Sequence, residues 1–175
     1  MYWIPAMVIG VVLIVVIGRI LLRPDGSRAA TLMKTYKTLT PALLAETPDE
    51  ELVTAVVSNI LAKAEAEKTD PYRLLPTLTQ ERSDIYSLWL FLRELEAGDP
   101  ACLRRSEQFG FSELAVNALR MMEQAALADA LDRYLQTADE TLPETMKTLV
   151  AEQELPALMI AMIRSNPESF CDTPQ

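Results

Sequence analysis

Histidine is absent from the 175 residues. That removes the Ser-His and Cys-His nucleophile systems and the usual histidine-based zinc sites. Cysteine occurs twice, at Cys102 and Cys171, with no C-x-x-C spacing. A disulfide between them is possible but nothing in the spacing supports it, and the pair reads rather as two buried or idle thiols. Glycine is scarce at five residues, and neither a glycine-rich phosphate loop nor a G-x-S-x-G elbow is present. No segment alternates apolar and polar residues cleanly over five positions, so no sheet is expected. Basic residues such as Arg104 and Arg105 are too few to build a nucleic-acid surface.

Half the residues are apolar, enough for a sizeable core, and Ala, Leu, Glu and Met abound. These side chains lose little entropy in a helix, which predicts an all-α fold. The formal charge of −9 is unevenly spread. Residues 1–37 carry Arg19, Arg23, Arg28, Lys34 and Lys37 against Asp25 alone, a net of +4. Residues 38–175 hold 11 basic and 24 acidic residues, a net of −13. A domain this acidic repels nucleic acid and anionic lipid and attracts basic protein. Carboxylates adjoin at Glu94 and Glu96, Asp139 and Glu140, and Glu152 and Glu154. Neighbours one or two apart on a helix do not face each other, so these pairs read as solvated faces rather than acid–base couples. Neither an enzyme nor a cofactor is expected.

The N-terminus, "YWIPAMVIGVVLIVVIGRILLR", has no charge before Arg19. Eighteen such residues span about 27 Å as a helix, close to a hydrocarbon core of about 30 Å. Residues 1–23 are therefore expected to be a single-pass membrane anchor, spanning with residues 3–22, with Tyr2 and Trp3 at the far interface. No basic n-region or nearby small-x-small site suggests cleavage. All five basic residues lie on the C-terminal side of the run, which places that side in the cytoplasm and the N-terminus outside. Pro24 and Gly26 are expected to end this helix.

Residues 24–47 read as a juxtamembrane linker and helix, interrupted near Pro41. Residues 48–175 read as an acidic helical domain. Thr47, Pro48 and Glu50 predict a capping box at the start of a helix. Leu52, Val53, Val56, Val57, Ile60 and Leu61 form its apolar face. Thr77 and Gln80 predict a second box. The next helix carries Ile85, Leu88, Trp89, Leu92 and Leu95, widened by Tyr86 and Phe91 into the central core helix, with Trp89 and Leu92 almost wholly buried. Gly98 and Pro100 predict its exit, with Gly98 in a left-handed cap. A short piece ending near "FGF" follows, then one or two helices with Met121 and Met122 as gap fillers. A short helix, a break at Pro156 and a last helix close the chain.

Four pieces, "DEELVTAVVSNIL", "LTQERSDIYSLWLFLRELE", "AVNALRMMEQAALADAL" and "LPALMIAMIRSNPESF", resemble a bacterial DNA-mimic protein family of small, acidic, all-helical domains. Leu78, Glu81, Arg82, Tyr86, Glu94 and the closing "NPESF" carry the resemblance. Where the family has Val-Asn-Asn-Gly-Gly-Phe, this chain reads "LEAGDPACLRR". The resemblance implies binding to a basic protein that would otherwise hold DNA, and no direct contact with nucleic acid. The candidate contact residues are Glu94, Glu96, Asp99, Asp129, Asp132, Asp139, Glu140 and Glu144. Two expectations stand side by side: a membrane-tethered cytoplasmic module that binds a protein partner, and an anchored accessory protein whose acidity only confers solubility.

Overall fold

The computed structural model describes residues 26–97 and 99–172, with the backbone alone described at 26, 27 and 106–109. Among these residues every regular element is helical: α1 Gly26–Thr35, α2 Pro41–Glu46, α3 Asp49–Glu67, α4 Pro71–Leu74, α5 Gln80–Ala97, α6 Ser106–Met121, α7 Ala125–Thr137, α8 Leu142–Glu152 and α9 Leu155–Ser165. Short 3-10 turns lie at Leu75–Thr77, Pro100–Arg104 and Pro167–Phe170. The all-α reading holds. No helix of the described residues is long and apolar enough to cross a membrane. The expected span at 3–22, with Pro24 beyond it, lies outside the described residues. Gly26 opens α1.

Two compact units divide the described chain. One takes residues 26–86 with 159–172, the other residues 87–158. In the first, α1 packs against α3, and α2 against the turn Pro167–Phe170. Tyr36, Leu39 and Leu44 are buried in it, as are Leu52, Val53, Val56, Val57 and Ile60 of α3. Leu61 is only half-buried. Burial on α3 extends past the expected stripe to Thr54, Ala55, Ser58 and Asn59, so the helix is enclosed on all sides over 52–60.

In the second unit α7 packs against both α6 and α8, and α6 against Pro100–Arg104. Its core holds Leu88, Phe91, Leu95, Leu119, Leu127, Leu131 and Met146. Trp89 is buried as expected, at 7% exposure, whereas Leu92 is only half-buried. By Leu92 the buried surface of α5 has narrowed, and Leu92 lies one turn before the exposed Glu96. Met121, expected as core filler, is 82% exposed at the end of α6.

Several helix ends differ from the sequence reading. Thr47 does not cap α3, whose N-cap is Pro48 without a side-chain bond. The Thr47 hydroxyl instead donates to Leu43 O at 2.7 Å, because α2 ends immediately before it. Pro41 opens α2, behind the Thr40 cap whose Oγ1 accepts from Leu43 N. At α5 the cap is Thr79, whose Oγ1 accepts from Arg82 N at 3.3 Å, while Thr77 Oγ1 donates to Leu74 O. Gly98 lies outside the described residues. Gly110 does not end a helix: α6 runs through it, at the usual cost of about 1 kcal/mol for a mid-helix glycine. Pro156 sits in the first turn of α9, where its missing N–H is harmless, and the break falls at Glu154. Glycine is so scarce that Lys68, Glu123, Ala138 and Glu154 take the positive φ of helix exits themselves, at 51°, 60°, 56° and 48°.

Candidate functional site

All eight carboxylates singled out from the sequence fall in the unit of residues 87–158. They form three groups. At the end of α5, Glu94 is buried and accepts from Arg93 Nε at 2.9 Å and from Arg93 Nη2. The same guanidinium lies over the Trp89 ring, 4.9 Å from its centroid. Glu96, one turn above Leu92, is exposed. Asp99 is exposed and accepts from Arg105 Nη2 at 3.1 Å and from the Cys102 thiol at 3.1 Å. That thiol hydrogen bond, with burial and the charge of Glu94, pushes the Cys102 pKa up to about 11. Cys102 and Cys171 are both free thiols.

The second group lies on the outer face of α7. Arg120, in the last turn of α6, reaches across to it. Its Nη2 is 3.0 Å from Asp132 Oδ2 and 3.8 Å from Asp129 Oδ1. One cation thus serves two carboxylates.

The third group surrounds the connection from α7 to α8. Asp139 accepts from Thr141 N at 3.0 Å and Thr141 Oγ1 at 2.7 Å. These two bonds hold its carboxyl below the ordinary range. They fix the turn that aims α8. Glu140 is exposed beside it. Glu144 lies in the first turn of α8, where the helix dipole favours an anion, and Lys147 Nζ stands 2.7 Å away. Among the described residues, Glu94, Asp99, Asp129, Asp132 and Glu144 have a cation within ion-pair distance, while Glu96, Asp139 and Glu140 form no ion pair.

The densest polar network was not foreseen and lies in the other unit. Asn59, wholly buried on α3, places Nδ2 at 2.9 Å from Tyr36 O, 3.0 Å from Lys37 O and 3.1 Å from Asp172 Oδ2. Its Oδ1 accepts from Arg82 Nη2. Asp172 also accepts from Leu39 N at 3.0 Å, from Arg82 Nη1 at 3.1 Å and from Lys63 Nζ. Burial pushes the Asp172 carboxyl up, but the bonds from Lys63, Leu39 N–H and Asn59 outweigh it and hold the group below its ordinary value. In the same unit, Arg164 of α9 donates to Leu44 O and Thr47 O, both at 2.7 Å, and to Asp49. It thereby ties the end of α2 to the start of α3. The available signals were a lone Asn inside "VVSNIL" and Lys63 four residues on, one turn along the same face.

No group of three or more His, Cys, Asp or Glu among the described residues could hold a metal ion. Comparison with protein-family models, with curated proteins and with solved structures yields no match.

Proposed function

We propose that the chain is a membrane-tethered acidic helical interaction module whose unit of residues 87–158 binds a basic segment of a protein partner. The tether is residues 3–22, with the helical part on the cytoplasmic side. One observation carries the binding reading. The exposed pair Asp139 and Glu140, without an ion pair among the described residues, lies between Asp129 and Asp132, which share a single arginine, and Glu144 at the start of α8. Residues 87–158 hold 13 acidic and 6 basic residues, so an approaching polycation meets a net negative field. The density is well below the roughly 20 charges that duplex DNA carries over 34 Å. The fitting partner is therefore a short basic segment, in keeping with the class of partner that the DNA-mimic resemblance implies.

A second reading, an anchored accessory protein whose acidity only confers solubility, draws on the cations beside Glu94, Asp99, Asp129, Asp132 and Glu144. The two are separated by capturing partners of the intact protein from membranes at low salt and at about 0.5 M salt, where screening shortens to a few Å. Partners lost at high salt support the acidic module. Partners that persist unchanged, or none at either salt, support the accessory reading.

A further inference from the structure

The network around Asp172 has the composition of an anion-binding cradle. Its four donors come from elements other than the one that carries the anion. They are the Leu39 N–H from the α1–α2 connection, Asn59 Nδ2 and Lys63 Nζ from α3, and Arg82 Nη1 from α5. Two cations converge on one carboxylate, and neither Lys63 nor Arg82 pairs with another acid among the described residues. Arg82 is 4% exposed, and its Nε is a buried donor with no partner. A guanidinium this enclosed requires an anion.

Part of the cradle is tied together by bonds that do not involve Asp172. Asn59 holds it: Nδ2 grips Tyr36 O and Lys37 O and so fixes the loop that aims Leu39 N–H, while Oδ1 orients Arg82. Asp172 reaches in from the segment after Phe170. Beyond its side chain, Cys171 and Asp172 are held by the bond from Asp172 N to Leu39 O at 3.0 Å, a long bond from Arg82 to Cys171 O at 3.4 Å, and two local bonds, from Cys171 N to Glu168 O at 3.2 Å and from the Cys171 thiol to Pro167 O at 3.1 Å.

We propose that this cradle is a carboxylate-recognition site occupied in cis by Asp172, and that it accepts an external carboxylate when Cys171 and Asp172 lift away from it. A carboxylate suits this set because it can accept from Arg82 Nη1, whose companion Nη2 is held by Asn59 Oδ1, and from the flanking Lys63 and the neutral Asn59 and Leu39 donors. The site lies in the unit that the acidic-module reading does not use, so either can fail without the other.

The test is Asp172→Ala in the full chain in detergent, with acetate as probe against chloride at equal ionic strength. Acetate should raise the thermal midpoint of the variant by several degrees more than chloride does, because it binds only the folded state. It should also shift the Leu39 amide resonance. Adding Lys63→Gln should abolish most of that difference. A blocked peptide, Ser-Phe-Cys-Asp-Thr, distinguishes the sources of the carboxylate. Tighter binding than acetate assigns the site to acidic peptide, and equal binding assigns it to small carboxylates. Equal effects of acetate and chloride on a folded variant would overturn the proposal. So would a variant that stays unfolded in acetate, since the cradle would then not stand without its own occupant.

Discussion

Replacing Asn59 by alanine removes one side chain that joins three parts of the first unit. Tyr36 O and Lys37 O lose their donor, and Arg82 Nη2 loses its acceptor. Asn59 is 0% and Arg82 4% exposed, so water does not readily replace the lost partners. Each buried polar group left unsatisfied costs about 1–3 kcal/mol, and breaking a buried charged network by deleting one partner costs about 3–5 kcal/mol. A loss of about 3–5 kcal/mol is therefore expected, a large share of a total stability of about 5–15 kcal/mol. Urea unfolding of the full chain in detergent, followed by far-ultraviolet circular dichroism, measures it. With a slope of about 2 kcal/mol per molar, the midpoint should fall by about 2 M while the slope is unchanged. A loss below about 1 kcal/mol would refute the claim that this network organises the unit.

Three further outcomes follow from single residues. Burial pushes the pKa of Asp84 up, with a bond from Gln80 opposing and the charge of Glu81 adding. The folded state then binds this proton more tightly than the unfolded chain, so stability falls as pH rises from about 3.9 through the folded pKa. Asp84→Asn, which keeps the Gln80 bond, should raise the urea midpoint at pH 7, with the gain vanishing below the unfolded pKa. Ala138→Gly should stabilise by about 0.5–1 kcal/mol in the same assay, since Ala138 sits at φ 56°, where a β-carbon costs about 1–2 kcal/mol and glycine returns part of that as unfolded-state entropy. Cys102, its pKa pushed up to about 11, should react with maleimide at pH 7 at least about 100-fold slower than a free thiol, because the thiolate is the nucleophile.

The helices were legible because apolar spacing at three and four residues is local. α3 and α5 fall where the Leu, Val and Ile pattern puts them, and Trp89 is buried as its phase requires. Helix ends were less legible, since capping is contested by neighbouring helices: Thr47 bonds back to α2 rather than forward to α3. The positive-φ exits at Lys68, Glu123, Ala138 and Glu154 carry no glycine to mark them. The pairing of Asn59 with Asp172 joins residues 113 apart, and nothing in local spacing encodes it. The acidic candidates could be picked from the sequence as residues, but not their states. The pairing of Glu94 with Arg93 and the bridge from Arg120 to Asp129 and Asp132 depend on side-chain reach and helix packing.

The central claim is that the carboxylates around the α7–α8 connection bind a basic protein segment. Its most direct test is titration of the detergent-solubilised full chain with a labelled Lys- and Arg-rich peptide, against two charge-matched reversals. Asp139→Lys with Glu140→Lys alters the proposed face, and Glu65→Lys with Glu67→Lys alters exposed acids of the other unit. The account predicts that affinity falls steeply from about 50 mM to about 0.5 M salt. It also predicts that the first reversal weakens binding about tenfold at low salt, while the second leaves it nearly unchanged. Equal weakening by both reversals, or binding indifferent to salt, would contradict it.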